Sequence, residues 1–327
     1  MCTPNRYGLE ITKFLKLGTT LATETETKFN SAERIVEYLN LTTEDEYNDG
    51  SFLPAEPLPE HWPRDGKVQL KGVSMRYRPS TPVVLDNVSF TVPPQAKVGI
   101  CGRTGSGKSS LLMVLFRLVN IETGCVKIDD VDVGSLDLNY RSRIGMIPQD
   151  PFLFGGALRE NIDPFDEYSD FEIWEALEHS NLKNLVKESA DGLSMKITDN
   201  GSNLSQGQRQ LMCMARALLR KCTIVALDEA TSSIDVESDT LIQRTLREQF
   251  SKATVLTIAH RINTIADSDF VLVMSDGKVA EFDKPSALLE RDDSEYAQMV
   301  QETGQANFEY VRRIANAQAR VVTDGSE

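Results

Sequence analysis

The feature that most constrains the fold is a glycine-rich segment, Gly102-Arg-Thr-Gly-Ser-Gly-Lys-Ser109. It follows a β-type run and precedes a helix predicted over 109–119. Glycines let consecutive backbone N–H groups face one concavity, and a helix N-terminus adds positive partial charge. Lys108 can reach the β- and γ-phosphates of a nucleotide, and Ser109 can ligate Mg²⁺. A turn that merely connects strand to helix would not need the complete Gly-x₄-Gly-Lys-Ser spacing. The segment therefore predicts a nucleoside triphosphate site.

Composition narrows the class of protein further. The 327 residues carry a net charge of −14, which argues against a nucleic-acid binder because phosphate contacts need Lys and Arg. No apolar run approaches the roughly 18 residues that cross a bilayer, and the N-terminus lacks the apolar region of a secretory signal. The five cysteines form no Cys-x-x-Cys pair, which favours free thiols in a reducing compartment and suggests no metal site.

The first 65 residues differ from the rest of the chain. Residues 53–63 contain four prolines, which favour extended backbone and remove hydrogen-bond donors, so we interpret them as a linker. We expect the globular domain to begin near Gly66. Before the linker, residues 9–40 have helical spacing, with one apolar stripe made of Phe29, Ala32, Ile35, Val36 and Leu39.

From Gly66 onward, short β-type runs alternate with helical ones. Two of them, 223–227 and 254–259, are almost continuously apolar. Such runs are expected where helices cover both faces of a largely parallel sheet, so the pattern predicts an α/β fold. The remaining runs predict strands at 68–70, 83–85, 88–92, 98–100 and 270–274, and helices at 171–187 and 206–220.

Residues 204–210, Leu-Ser-Gln-Gly-Gln-Arg-Gln, have two interpretations. Ser205 and Gln208 have the spacing of a capping box, which would simply begin the amphipathic helix that follows. The segment also lies between the glycine-rich loop and Leu227-Asp228-Glu229. With these motifs in this order, the chain resembles the nucleotide-binding domain of an ABC transporter, in which Leu-Ser-Gly-Gly-Gln is the signature motif.

Other segments refine this resemblance. Residues 161–170 and 208–219 are similar to the multidrug-resistance-associated C subfamily. In that subfamily the second nucleotide-binding domain typically carries a catalytic Glu and a non-Gly signature residue, which match Glu229 and Gln206. Residues 29–40 resemble the cytosolic end of the last membrane helix and its exit linker.

The resemblance implies a P-loop NTPase (RecA-like) parallel-sheet core with an N-terminal antiparallel β subdomain and an inserted α-helical signature subdomain. Residues 1–65 would be the cytosolic end of a missing transmembrane domain plus the linker. Residues 66–304 would form the nucleotide-binding domain, with the helical subdomain at about 151–220. Residues 305–327 would be a C-terminal tail, read as a helix that frays.

The resemblance also assigns roles around ATP and Mg²⁺. Asp228 would hold Mg²⁺, and Glu229 would polarise the attacking water as general base. Two adjacent carboxylates at the end of an apolar strand are costly without a cation, which supports this assignment. Gln149 would contact Mg²⁺ or its water, His260 would contact the γ-phosphate, and Tyr77 would stack on adenine. The phosphate-loop contacts would come from Gly102, Arg103, Thr104, Gly105, Ser106, Gly107, Lys108, Ser109 and Ser110.

Ser205, Gly207 and Gln208 would act on a nucleotide bound by the opposing subunit of a head-to-tail dimer, because their helix N-terminus can face its γ-phosphate. Two departures from the family pattern matter. Gln206 replaces a Gly, so we infer that this signature serves the weaker of two unequal sites. Residues 199–202, Asp-Asn-Gly-Ser, replace Glu-Gly-Gly-Asp/Glu, which weakens the expected contact with membrane loops.

The expected function is an Mg-dependent ATPase that powers export of organic anions, conjugates or drugs by a C-type ABC transporter. Its partners would be a transmembrane domain and a second nucleotide-binding domain, not nucleic acid. It would lie at the cytosolic face of a membrane and be soluble as this fragment. One alternative is a soluble ABC ATPase of translation or repair, which the acidic charge disfavours. The other is a non-hydrolytic regulatory module. Glu229 and His260 argue against it, whereas Gln206 supports it.

Overall fold

The computed structural model describes residues 4–41, 58–59, 61–228, 236–259 and 261–324. Two compact units divide the chain, Met1–Pro54 and Ala55–Glu327. The first contains one long helix, α1 (Pro4–Leu39), which confirms the helical spacing of that region. The apolar side chains on its predicted stripe, such as Phe29 and Leu39, are exposed. Within the described ranges, no helix is long and apolar enough to cross a membrane.

The second unit contains all the strands of the described chain. They are β1 (Val68–Met75), β2 (Leu85–Val92), β3 (Lys97–Cys101), β4 (Thr123–Ile128), β5 (Val131–Asp132), β6 (Ile144–Ile147), β7 (Gly156–Ala157), β8 (Lys196–Ile197), β9 (Ile224–Asp228), β10 (Thr254–Ile258), β11 (Phe270–Ser275) and β12 (Lys278–Asp283). The helices are α2 (Lys108–Leu115), α3 (Leu158–Ile162), α4 (Asp170–His179), α5 (Lys183–Glu188), α6 (Gln206–Leu219), α7 (Val236–Gln249), α8 (Pro285–Leu289), α9 (Glu295–Glu302) and α10 (Gln305–Asp324).

The core is a six-stranded sheet in the order β12-β11-β3-β10-β9-β6. Strands β11, β3, β10, β9 and β6 are parallel, and β12 pairs antiparallel with β11. Strands β9 and β10 are buried over nearly their whole length, as their continuous apolar sequences predicted. A second sheet, β2-β1-β4-β5, is wholly antiparallel. Both findings confirm the predicted core and antiparallel β subdomain.

Helices α3 to α6 lie between β6 and β9 in the chain and share a separate hydrophobic cluster with the outer part of the core sheet. The single helix predicted over 171–187 is two helices, α4 and α5. Asn181 has a left-handed backbone, φ 59°, and the N–H of Leu182 donates to Leu177 O at 2.8 Å. This is the Schellman arrangement that ends a helix, and Asn is one of the few residues that adopt it readily.

The linker is fixed to the domain before Gly66. Trp62 is buried, and its Nε1 donates to Ile128 O at 3.1 Å. The Asp129 carboxylate accepts the backbone N–H groups of residues 64–67 at 2.7 to 3.2 Å. At the other end of the chain, α10 buries Val311 and Ala315 in the cluster that also contains α8 and α9. The packed structure therefore includes segments on both sides of 66–304.

Candidate nucleotide-binding site

The glycine-rich loop connects β3 to α2 through conformations that only glycine adopts easily. Gly102 has φ 143°, and a Cβ there would lie 2.2 Å from Met274 O. Gly107 caps α2 with φ 99°, and a Cβ there would lie 2.8 Å from Leu85 Cδ2. A Cβ at Gly105, φ 83°, would meet nothing within 4 Å. The loop is therefore packed against the domain at both ends and open at its middle.

Two polar side chains of this loop are buried. Lys108 Nζ donates to Gly102 O at 2.8 Å and to Arg103 O at 2.9 Å, which holds the ammonium group over the loop. Ser106 is 5% exposed, and its Oγ has no hydrogen-bond partner among the described residues. A buried hydroxyl without a partner is uncommon in native proteins. Its place within a cationic glycine loop suits a phosphate oxygen.

The parallel strands bring Asp228 and Gln149, two of the predicted site residues, to the edge where this loop begins. Ile258 at the end of β10 pairs with Ile100 of β3 on one side and with Asp228 of β9 on the other. On β6, Ile147 pairs with Leu227, so Gln149 follows β6 at the same edge. Ligands of open α/β sheets bind at the carboxyl ends of the strands. Glu229 and His260 continue β9 and β10 in sequence but lie outside the described residues.

The groups at this edge suit Mg²⁺. Asp228 offers a carboxylate, Ser109 an exposed hydroxyl at the first turn of α2, and Gln149 an exposed amide. Mg²⁺ is typically bound through one or two carboxylates plus substrate phosphates and water, not by an all-protein cage. The described residues hold no group of three or more His, Cys, Asp or Glu side chains that could bind a metal ion. Burial raises the pKa of Cys101, directly before the loop, to about 12, so its thiol is neutral and is not a nucleophile.

Tyr77 lies in the connection between β1 and β2, beside α2. Its hydroxyl is 2.8 Å from Ser110 Oγ and 3.5 Å from Met113 Sδ, and the residue is 48% exposed. The hydroxyl thus ties the ring to the helix that carries Lys108, while part of the ring stays open to a ligand. This placement suits stacking on a base.

The segment around Ser205 begins α6, as the capping-box interpretation predicted. Ser205 Oγ accepts the N–H of Gln208 at 3.1 Å, and Gln208 Oε1 accepts the N–H of Ser205 at 2.9 Å. Gly207 is buried, Ser205 is exposed and Gln206 is half-buried. The Gln208 side chain is therefore engaged within its own chain, and any contact across a dimer would use the exposed Ser205 and the free N–H groups of the first turn.

Comparisons with known proteins agree with this geometry. Residues 85–232 match the family model described as ABC transporter. The chain carries an ABC transporter domain. It is 45% identical over 312 residues to ABC transporter C family member 12 of Dictyostelium discoideum, covering 95% of this chain and 23% of that protein. It is 44% identical over 304 residues to ATP-binding cassette sub-family C member 2 of Rattus norvegicus, covering 93% of this chain and 19% of that protein.

Among solved structures, the chain is similar to a bacterial Atm1-family ABC exporter with ATP bound. The TM-score is 0.76 at 28% identity, and the match covers 88% of this chain and 49% of that one. The relatives confirm the C-family resemblance and the P-loop ABC fold. The chain spans about a fifth of the length of the curated relatives that it matches.

The ABC transporter domain has an apolar groove beside the segment that follows β6. It has a volume of about 320 Å³, and its lining includes Met146, Phe152 and Phe154. Arg216 Nη1 donates to Phe152 O at 3.0 Å, and the Asn161 amide exchanges two hydrogen bonds of 2.9 Å with the Phe154 backbone. No role was predicted for Arg216 or Asn161, because neither residue type signals a side-chain contact with a backbone group, whether 64 residues away as for Arg216 or seven as for Asn161.

The departure at residues 199–202 leaves the local backbone intact. Asn200 has φ 57° and Gly201 has φ 64°. Asn tolerates the left-handed region better than most residues, so it can stand where the family pattern has Gly. The N–H of Asn200 donates to Leu153 O at 3.1 Å, and Arg209 Nη1 donates to Asn200 O at 3.3 Å.

Proposed function

We propose that this domain binds Mg-ATP and hydrolyses it as the second nucleotide-binding domain of a C-type exporter. The observation that carries the proposal is the joint presence, at one sheet edge, of the Lys108 loop, the unpartnered Ser106 hydroxyl, Asp228 and Gln149. The loop N–H groups and Lys108 bind the phosphates, and Tyr77 holds the base.

The catalytic roles are assigned from the family motifs, and the positions of Ser109, Asp228 and Gln149 support them. Ser109 and Asp228 would hold Mg²⁺, which would neutralise charge on the phosphates when bound. Glu229 accepts a proton from water aligned with the γ-phosphate, and Gln149 and His260 orient that water and the phosphate. No covalent bond to the protein is needed, so the residues act by positioning and charge.

The site is completed by a second nucleotide-binding domain in a head-to-tail dimer. The N-terminus of α6 offers its first-turn N–H groups and positive dipole end to the partner's nucleotide. Gln206, half-buried at the first position of α6, adds a bulky amide where a Gly would leave room. This signature therefore contributes to the ATP site with the weaker hydrolysis, and the Lys108 loop contributes to the site that is competent for hydrolysis.

The groove beside Phe152 and Phe154 is the surface we assign to a transmembrane domain. Both rings are more than half exposed, at 54% and 58%, although they contact each other edge-on at 4.9 Å between centroids. Contiguous exposed apolar surface marks interaction sites, whereas single scattered apolar residues do not. The segment 152–154 follows Gln149 closely in the chain, so a membrane domain bound there is connected to the ATP site through the backbone. Through it the domain would drive export of organic anions, conjugates or drugs at the cytosolic face of a membrane.

ATP turnover by the purified chain, measured against protein concentration, tests the proposal. We expect slow turnover that rises with concentration and disappears in Glu229→Gln. A silent chain that gains turnover when mixed with a domain carrying Leu-Ser-Gly-Gly-Gln would instead show an obligate heterologous pair. If Mg-ATP binds but turnover stays absent in both settings, the domain is a regulatory ATP-binding module and the hydrolytic proposal fails.

A further inference from the structure

Gln210 is a buried amide that only half uses its hydrogen-bonding capacity. It lies on α6, three residues after Gly207, and is 0% exposed. Its Nε2 donates to Pro148 O at 2.9 Å, whereas its Oε1 has no hydrogen-bond partner among the described residues. A buried polar atom without a partner opposes folding. Because a Leu or Met here would avoid that cost, packing alone does not explain an amide at this position.

The bond from Gln210 reaches the peptide that places a predicted catalytic residue. Pro148 directly precedes Gln149, and the proline ring already fixes φ at Pro148. Holding the Pro148 carbonyl therefore sets the remaining rotation of this residue and the direction in which Gln149 leaves the strand. The same helix holds the segment again at Phe152 O, through Arg216. Helix α6 thus forms hydrogen bonds with the backbone on both sides of Gln149 and Asp150.

The first turn of α6, which leads directly into Gln210, carries the signature residues. Gly207 is buried and Ser205 caps the helix, so a displacement of the first turn moves Gln210 with it as part of one hydrogen-bonded helix. Among the described residues of this turn, Gln210 is the buried side chain that bonds to Pro148, directly before Gln149. Gln210 therefore connects the signature to Gln149. In the proposed function the signature acts on the partner's nucleotide, and Gln149 acts on the nucleotide bound by this chain.

We propose that Gln210 is a positioning residue that sets Gln149 toward Mg²⁺ and its water and makes that setting depend on the signature helix. The inference rests on the proposed function. Because the Oε1 of Gln210 has no partner among the described residues, the amide can rotate and follow the Pro148 backbone when α6 moves. A fully bonded amide could not do so without breaking a hydrogen bond. Gln210 itself touches neither nucleotide nor metal.

Gln210→Leu is the decisive variant, because it removes the amide at nearly constant volume. Met214→Leu, one turn further along the buried face of α6, is the matched control for disturbance of the core. We expect Gln210→Leu to fold with a Tm close to wild type and to bind ATP without Mg²⁺ within about twofold. Its turnover at saturating Mg²⁺ should fall about tenfold and its half-saturating Mg²⁺ should rise, as for other residues that orient a metal ligand. Met214→Leu should keep both values.

A second readout does not depend on catalysis. In the nucleotide-free chain, hydrogen–deuterium exchange of peptides spanning 148–153 should be faster in Gln210→Leu than in wild type or Met214→Leu. Unchanged exchange together with an unchanged Mg²⁺ response would overturn the proposal. Equal losses of turnover in Gln210→Leu and Met214→Leu, each accompanied by a lowered Tm, would also overturn it. If wild type itself neither hydrolyses ATP nor responds to Mg²⁺, the proposed function fails, and the exchange experiment still decides whether Gln210 holds this segment.

Discussion

Gly102 is the residue at which the phosphate loop tolerates change least. A Cβ there would lie 2.2 Å from Met274 O, a distance that backbone movement must relieve. We expect Gly102→Ala to lower the free energy of unfolding by about 1 to 3 kcal/mol, as overpacking does, and to weaken ATP binding at least about tenfold because the loop N–H groups are displaced. Gly8→Ala is the control, since no atom lies within 4 Å of its Cβ. Thermal unfolding and ATP titration of both variants test this, and wild-type affinity in Gly102→Ala would contradict the loop geometry.

The thiols give a second prediction at this scale. Burial raises the pKa of Cys101 to about 12, that of Cys222 to about 11, and also that of Cys213. A raised pKa leaves less reactive thiolate at pH 8, so iodoacetamide should label half-buried Cys125 well before these three. Peptide mass spectrometry over time checks the order, and labelling in urea should remove the difference. Early labelling of Cys101 in the native chain would show that β3 opens.

Individual residues also show what the sequence could and could not predict. The loop glycines and Lys108 were predictable because the Gly-x₄-Gly-Lys-Ser spacing is a local signal, and Lys108 donates to Gly102 O and Arg103 O within the same loop. The contact of Gln210 with Pro148 O joins positions 62 apart, and a Gln in an amphipathic helix gives no sign of it. Asn181, which splits the predicted helix over 171–187, did carry a signal, since Asn favours the left-handed backbone at helix ends.

At the scale of elements, one carboxylate holds the segment that joins the linker to β1. Asp129 accepts four backbone N–H groups from residues 64–67. We expect Asp129→Ala to lower the free energy of unfolding by about 2 to 3 kcal/mol, because several charge-assisted bonds are lost together. Asp130 is the matched control, because it has a similar left-handed backbone, φ 65° against 47° at Asp129, but makes one exposed ion pair, to Lys67 at 2.9 Å. Asp130→Ala should therefore cost only the strain of Ala at a positive φ, about 1 kcal/mol, which both variants share. Urea denaturation measures both, and equal losses would show that the linker is held elsewhere.

Element prediction succeeded where local signals were strong. The helix predicted over 206–220 is α6 (Gln206–Leu219), and its capping box explains the accurate start. The buried strands β9 and β10 followed from their continuous apolar runs. The sequence missed β5 and β12, each of which pairs with the strand directly before it. It also did not predict β4, β6, β7 or β8, because each depends on a partner far along the chain, as β4 depends on β1. Tertiary pairing decides such segments, not their own propensity.

For the whole molecule, charge opposes the dimer that the proposed function requires. Each copy carries −14, so two copies repel, and salt reduces this repulsion because the Debye length falls from about 30 Å at 0.01 M to about 10 Å at 0.1 M. Salt also weakens charged contacts across an interface, but the signature offers uncharged groups, namely Ser205, Gly207 and N–H groups of α6. Repulsion between the two copies should therefore dominate the salt dependence.

In Glu229→Gln with Mg-ATP, we expect the dimer fraction to increase between about 0.05 and 0.3 M KCl. Sedimentation velocity measures this fraction, with the nucleotide-free chain as the monomer control. A dimer that dissociates as salt rises would instead place ion pairs at its interface and contradict the signature-to-nucleotide arrangement.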